Sequence, residues 1–357
     1  MPPQSRRVDA SSRHRLLTAL AAVICVVVTL GIAFGAELAY RYRELGSLRL
    51  PAPMFVPDPD LLYRLNPAIP GFAGGFRGQQ GRIAAGAALH VICLGGSTTF
   101  GYHVSVDQAW PHVVRTTLEA RGIRSDVINA GVNGYGSRQL LIRYRRDLAT
   151  LQADFVVLYA GWNRTGALVD TGEWVPFDIA YPRDGPVRRA LLVLCRHSFL
   201  LSHVLQALAE RRAAANKTVW SMDRHHETWV EDMRALTRDI AAHGQRPVLV
   251  VYPSLYHDGM TTGEVAGYRD LAWEGKAFRP DMLTEIDRKQ AAIRQIAAET
   301  GAVLIDIQAA FAGIIGPARR ALFLDTMHLS VLGNLQVGRL IGTALAEQVR
   351  RGARKSP

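Results

Sequence analysis

Three residues of this chain could do covalent chemistry together if the fold lets them meet. Ser97 stands in "VICLGGSTTFGYHV", where an apolar run ends in two glycines, the serine and two threonines. Asp325 and His328 stand three residues apart in "FLDTMHLSVLGN", far along the chain. A serine hydroxyl becomes a nucleophile when a histidine takes its proton, and the histidine needs an acceptor to fix its tautomer. Acyl transfer also needs donors aimed at the oxygen that gains charge. Suitable donors are the N–H of Ser97, the backbone N–H of Gly134 in "NAGVNGYGS" and the side-chain amide of Asn163 in "YAGWNR". A phosphate-cradling glycine loop is the rival reading of the first stretch. "GGSTTFG" lacks the lysine of GxxxxGK[ST] and the spacing of GxGxxG, and a phosphate loop has no need of a downstream Asp-x-x-His.

These residues lie at the ends of short apolar runs. "ALHVICL" reads as a strand before Ser97, "SDVINA" as a strand before Asn133-Gly134, and "DFVVLYAG" as a strand before Trp162-Asn163. Helical stretches separate them: "VDQAWPHVVRTTLEARG" and "SRQLLIRYRRDLATL". Later come strand "RPVLVVYPS", helix "TEIDRKQAAIRQIAAETG", strand "AVLIDI" and a closing helix from about Leu332 to Arg351. Short apolar strands alternating with helices predict an α/β fold with a parallel sheet covered on both faces. Ligands of such sheets collect beyond the carboxyl ends of the strands, where all five candidate residues fall.

The bulk properties narrow the function class. The 357 residues are 48% hydrophobic and 20% charged, as in an ordinary globular chain. The formal net charge is +11, but the arginines are scattered through helical stretches without a zinc-finger or aromatic RNA-binding signature, so no nucleic acid partner is expected. A basic surface suits an anionic membrane or polymer equally well. The three cysteines, Cys25, Cys93 and Cys195, form no CxxC pair. Cys25 and Cys93 read as small core residues, a Cys93–Cys195 disulfide stays open, and a cysteine metal site is set aside. His225-His226 beside Asp223 and Glu227 imitates a metal cluster, but adjacent helical residues point apart, so a solvated face is expected. No metal or organic cofactor is required by serine chemistry.

Residues 16–36 carry no charge and follow Arg6, Arg7, Arg13 and Arg15. As a helix rising about 1.5 Å per residue, such a run crosses a bilayer core of about 30 Å. A cleaved signal peptide ending at Ala33-Phe34-Gly35 is the alternative. The expected organisation is a basic cytoplasmic N-terminus (1–15), a transmembrane anchor (16–36), a Pro/Gly-rich linker (37–87) and a domain (88–352) with a helical insertion at about 165–243. That insertion contains "VRRALLVLCRHSFLLSHVLQALAERR", in which Arg196, His197, Ser202, His203 and Gln206 argue against a second span and for a lid or interfacial helix.

The blocks "LGGSTTFG", "NAGVNGYGS", "YAGWNR" and "DTMHLSVLGN" resemble the motifs of the SGNH hydrolases, the GDSL-like esterase and lipase superfamily. The linker phrases "VPDPDLLYRLNP" and "GGFRG" resemble membrane-anchored bacterial members. The resemblance implies a three-layer α/β/α flavodoxin-like sheet, Ser97 as nucleophile, Gly134 (rather than Gly131) and Asn163 in the oxyanion hole, and Asp325 and His328 as the other triad members. Two positions depart from the pattern. Gly96 replaces the usual aspartate before the serine, at little cost, since that aspartate is no triad member. Arg164 stands where aspartate is common and brings a cation to the substrate side.

The expectation is a single-pass esterase of the bacterial inner membrane, held in the bilayer through residues 16–36, with its catalytic domain periplasmic or extracellular. Its partner would be an acylated saccharide carrying an acetyl or other short acyl ester. An O-acyltransferase would use the same acyl-enzyme. A lipase-like esterase would use the apolar helix around 191–208 as an acyl wall, and a glycan-binding scaffold would keep the fold without the chemistry.

Overall fold

Continuous apolar strands need helices on both faces, and the computed structural model shows them. It describes residues 10–49, 54–58, 60–78, 89–163, 194, 198–201, 203–204, 207–208, 222–257, 260, 263 and 280–353. The chain divides into two units, Met1–Pro53 with Trp174–Ala215 and Met54–Glu173 with Asn216–Pro357.

In the second unit five strands form one sheet: β3 (Leu89–Gly95), β4 (Ser125–Gly131), β5 (Phe155–Tyr159), β6 (Arg246–Val251) and β7 (Val303–Asp306). Their order is β4-β3-β5-β6-β7, and every pairing is parallel. The central strands are buried along nearly their whole length, whereas edge strand β7 leaves Leu304 exposed. Among the helices, α3 (Trp110–Glu119) packs on α7 (Val331–Ala353), while α4 (Ser137–Arg143), α5 (Met222–Ala242) and α6 (Pro280–Thr300) pack in succession. The result is the expected flavodoxin-like order. The chain leaves β3 for β4 on one side and returns to β5 on the other, so the strand order reverses at β3. That reversal opens a crevice at the carboxyl ends of β3 and β5.

The stretch 37–87 departs from a plain linker. Residues 37–45 belong to a helix, and β1 (Phe55–Asp58) pairs antiparallel with β2 (Leu62–Leu65) in a hairpin. Asp58 Oδ1 accepts from the N–H groups of Asp60 and Leu61 at its turn, and Arg146 pairs with Asp58 at 2.7 Å and Asp60 at 3.0 Å. Leu61, Tyr63 and Leu65 are buried, which gives the hairpin the apolar anchor that two isolated strands lack.

The first unit contains α1 (Ala10–Leu45). Within Arg13–Glu44 a window of 18 residues reaches a mean hydropathy of 2.7, and this is, among the described residues, the one helix long and apolar enough to cross a membrane. Near its end, Glu37 accepts hydrogen bonds from Ser198 Oγ (2.7 Å) and from the N–H groups of Phe199 (2.6 Å) and Leu200 (3.0 Å). A carboxylate there satisfies the donors that open a helical turn. Most of the 165–243 insertion before α5, including Cys195, lies outside the described residues; Cys93 is a free, buried thiol.

Candidate active site

β3 ends at Gly95, and Gly96 turns the chain into the four-residue helix α2 (Ser97–Phe100), with Ser97 as its first residue. The turn is held by the N–H groups of Thr99 and Phe100 on the Gly96 carbonyl and of Gly101 and Tyr102 on the Ser97 carbonyl. Ser97 therefore sits where the strand order reverses.

His328 arrives from the other end of the chain. It lies in a loop closed by Leu324 N–H on the His328 carbonyl (2.8 Å) and Ser330 N–H on the Leu322 carbonyl (2.9 Å). Asn334, in the first turn of α7, accepts from Trp110 N–H at 3.0 Å and donates to the Leu329 and Ser330 carbonyls, which fixes the loop to the start of α3. Inside the loop, Asp325 Oδ1 accepts from the N–H groups of Met327 (2.8 Å) and His328 (2.7 Å). Its Oδ2 lies 2.6 Å from His328 Nδ1, and His328 Nε2 lies 2.8 Å from Ser97 Oγ. A carboxylate on Nδ1 fixes the proton there, which leaves the Nε2 lone pair facing the hydroxyl. Burial by itself would raise the Asp325 pKa. The hydrogen bonds from the His328 ring and the two backbone N–H groups outweigh burial and hold it below the ordinary carboxylate value. His328 is only 2% exposed, and the ring of Tyr102 lies against it at 5.0 Å.

Asn163 follows β5 and donates its Nδ2 to the Tyr135 carbonyl at 2.9 Å. A primary amide has two hydrogens, so this bond orients the group and leaves one donor. Gly96 is what admits it: a Cβ built there would lie 2.5 Å from Asn163 Nδ2. The glycine that replaces the usual aspartate therefore has a steric reason that sequence spacing does not reveal. Gly134 adopts φ +80°, a left-handed backbone, and a Cβ there would run into the Tyr63 hydroxyl. A small cavity beside Ser97 is lined by Gly96, Tyr135, Gly136, Ser137 and Asn163 among others; Gly134 is not in its lining. Arg164 lies outside the described residues.

Sequence reasoning missed Lys289. This buried side chain on α6 donates to the Gly161 carbonyl at 3.0 Å and pairs with Glu285 at 3.2 Å, so an ammonium supports the loop that carries Asn163. A Glu-x-x-x-Lys pair on a helix normally signals a solvated face, and nothing local distinguishes this one. In the neighbouring acidic-histidine stretch, Asp223 pairs with Arg288, and His226 faces Glu285 at 3.6 Å.

The model of the GDSL-like Lipase/Acylhydrolase family matches residues 93–335, more than half of the chain. The chain belongs to that family. As a GDSL-type acylhydrolase it is an ester-hydrolysing serine hydrolase. No curated protein matches it. Among solved structures it is similar to an acetylxylan esterase from Geobacillus stearothermophilus (17% identity, 73% of this chain and 95% of that one, TM-score 0.47). It is also similar to the lipase/acylhydrolase from Enterococcus faecalis (17% identity, 73% and 96%, TM-score 0.44). A third is an acetyl xylan esterase (17% identity, 72% and 100%, TM-score 0.43).

Proposed function

We propose that this GDSL-type acylhydrolase is an exported, membrane-anchored esterase that removes acetyl groups from hydroxyls of an envelope or secreted glycan. The observation that carries its chemistry is the continuous path from Ser97 Oγ through His328 Nε2 and Nδ1 to Asp325 Oδ2, with contacts of 2.8 and 2.6 Å.

His328 takes the hydroxyl proton as Ser97 Oγ bonds to the ester carbonyl carbon, and the carbonyl electron pair moves onto oxygen. The remaining Asn163 amide hydrogen and the N–H groups of Ser97 and Gly134 donate to that oxygen. Collapse of the adduct breaks the bond to the alcohol, which leaves with the proton held by His328. Water then repeats the cycle on the acyl-Ser97 and releases the carboxylic acid. Asp325 stays ionised throughout and stabilises the imidazolium.

Among the described residues the cavity beside Ser97 is small, about 10 Å3, which favours a short acyl group over a long one. The net charge of +11 and the cation of Arg164, next to Asn163 in sequence, suit an anionic glycan. The basic N-terminus and the apolar α1 suit a cytoplasmic start and an exported catalytic unit.

Comparing p-nitrophenyl acetate, octanoate and palmitate tests the acyl assignment: kcat/KM should fall as the chain lengthens, and a steady rise would overturn it. Protease added to spheroplasts should digest residues 54–357, and their protection would contradict export.

A further inference from the structure

The family match begins at Cys93, yet two parts of the site lean on residues that precede it. Tyr63, on β2, is buried and donates its hydroxyl to the Asn133 carbonyl at 2.8 Å. Its ring packs against Tyr135 at 5.4 Å, and the Tyr135 hydroxyl donates back to the Tyr63 carbonyl at 2.5 Å. The Tyr63 hydroxyl also occupies the place a side chain on Gly134 would need. One tyrosine thus grips both neighbours of Gly134, and Tyr135 in turn offers the carbonyl that orients the Asn163 amide.

Arg77 does the equivalent for the nucleophile turn. Its guanidinium is buried, donates to the carbonyls of Phe100, Gly101 and Val104, and stacks over the Phe100 ring at 4.0 Å. Its backbone N–H pairs with the Asn129 carbonyl at 3.0 Å, tying the same residue to β4. A planar fork with five donors can hold several carbonyls in fixed directions, which a lysine cannot. The Phe100 and Gly101 carbonyls lie at the end of α2, the helix that presents Ser97.

We propose that the hairpin and strap of residues 54–78 are a working part of the hydrolase site, with Tyr63 as the positioning residue of the oxyanion loop and Arg77 as that of the nucleophile turn. The inference rests on the acyl-transfer roles assigned above to Ser97, Gly134 and Asn163. The segment sits between the apolar helix and the catalytic core in sequence, so the stretch that leads away from α1 also completes the chemistry.

The test uses the full-length chain in detergent. Tyr63→Phe removes one hydroxyl and keeps the ring contact; Arg77→Lys keeps the charge and loses the fork; Glu347→Ala, exposed on the closing helix and outside the segment, is the control. A misplacement of about 1 Å at a reacting group can cost up to about 10²-fold. Tyr63→Phe should lower kcat for p-nitrophenyl acetate by about tenfold, leave KM within about twofold and slow phosphonylation of Ser97 by a fluorophosphonate in parallel. Arg77→Lys should do the same more severely, and Glu347→Ala should match the wild type. A Tyr63→Phe protein that melts like the wild type and keeps its kcat and labelling rate would overturn the inference while leaving the esterase reading intact. Equal losses in kcat explained by a collapsed melting temperature in Tyr63→Phe would reduce the residue to a structural one and overturn it as well. A wild-type Ser97 that takes no label would overturn the esterase reading and the inference with it.

Discussion

Replacing Gly96 with alanine should disable the enzyme without unfolding it. The residue has φ −88°, outside the left-handed region that favours glycine. Its constraint is the Asn163 amide, whose nitrogen would lie 2.5 Å from the new Cβ, whereas ordinary contact begins at 3.4 Å. The amide must retreat by the difference, about 0.9 Å, and its 2.9 Å bond to the Tyr135 carbonyl stretches or breaks. Oxyanion donors act within about 2.7–3.1 Å of the charged oxygen, so a shift of that size removes most of the interaction. Losing one such donor costs about 10²–10³ in turnover, and we expect Gly96→Ala to lose about 10², or about 2.7 kcal/mol of transition-state stabilisation. Stability should change little, because alanine restricts the unfolded chain by about 0.4–1 kcal/mol and offsets part of the local crowding. Steady-state kinetics with p-nitrophenyl acetate and a thermal melt on the same sample measure both. If the effect runs through Asn163, adding Gly96→Ala to Asn163→Ala should cost less than about threefold more. A Gly96→Ala enzyme with wild-type kcat, or a fully additive double variant, would refute the reasoning.

Removing Lys289 leaves Glu285 buried without its ammonium, so Lys289→Met should cost about 3–5 kcal/mol in denaturant unfolding, and adding Glu285→Gln should recover much of it. Ser97→Ala and His328→Ala should each lower kcat by several orders of magnitude, with the double variant scarcely worse, because the two act as one unit. The lowered pKa of Asp325 has a stability consequence: its contribution is present above the unfolded carboxylate pKa of about 3.9 and disappears as pH falls through the lower folded value. The melting-temperature gap between wild type and Asp325→Asn should therefore be widest near neutrality and close below about pH 4, as differential scanning across pH would show.

The chemistry-bearing residues were legible because their types are scarce in combination. Ser97 and Asn163 follow strand ends, which a parallel sheet gathers on one edge, whereas Asp325 and His328 were paired by their spacing just before the last helix. The strand order was not legible in the alternation itself; it followed from the family resemblance. The hairpin 55–65 escaped for a physical reason. Its strands are four residues each, interrupted by Pro57 and flanked by Pro and Gly, and their burial depends on partners such as Asn133 and Arg146 far along the chain. Gly96 looked like a harmless departure because its constraint is a side chain from another strand. Lys289 was not singled out because its burial is decided by Trp229 and the Gly161 loop rather than by its neighbours in sequence.

The most direct measurement of the central claim is intact-mass analysis of the folded protein after treatment with a fluorophosphonate, with peptide mapping of the product. The account predicts one adduct on Ser97 in the wild type, a labelling rate reduced by orders of magnitude in His328→Ala, and no adduct in Ser97→Ala. A folded wild type that stays unlabelled while a control serine esterase reacts, or an adduct on another serine, would contradict the assignment of Ser97 as the nucleophile.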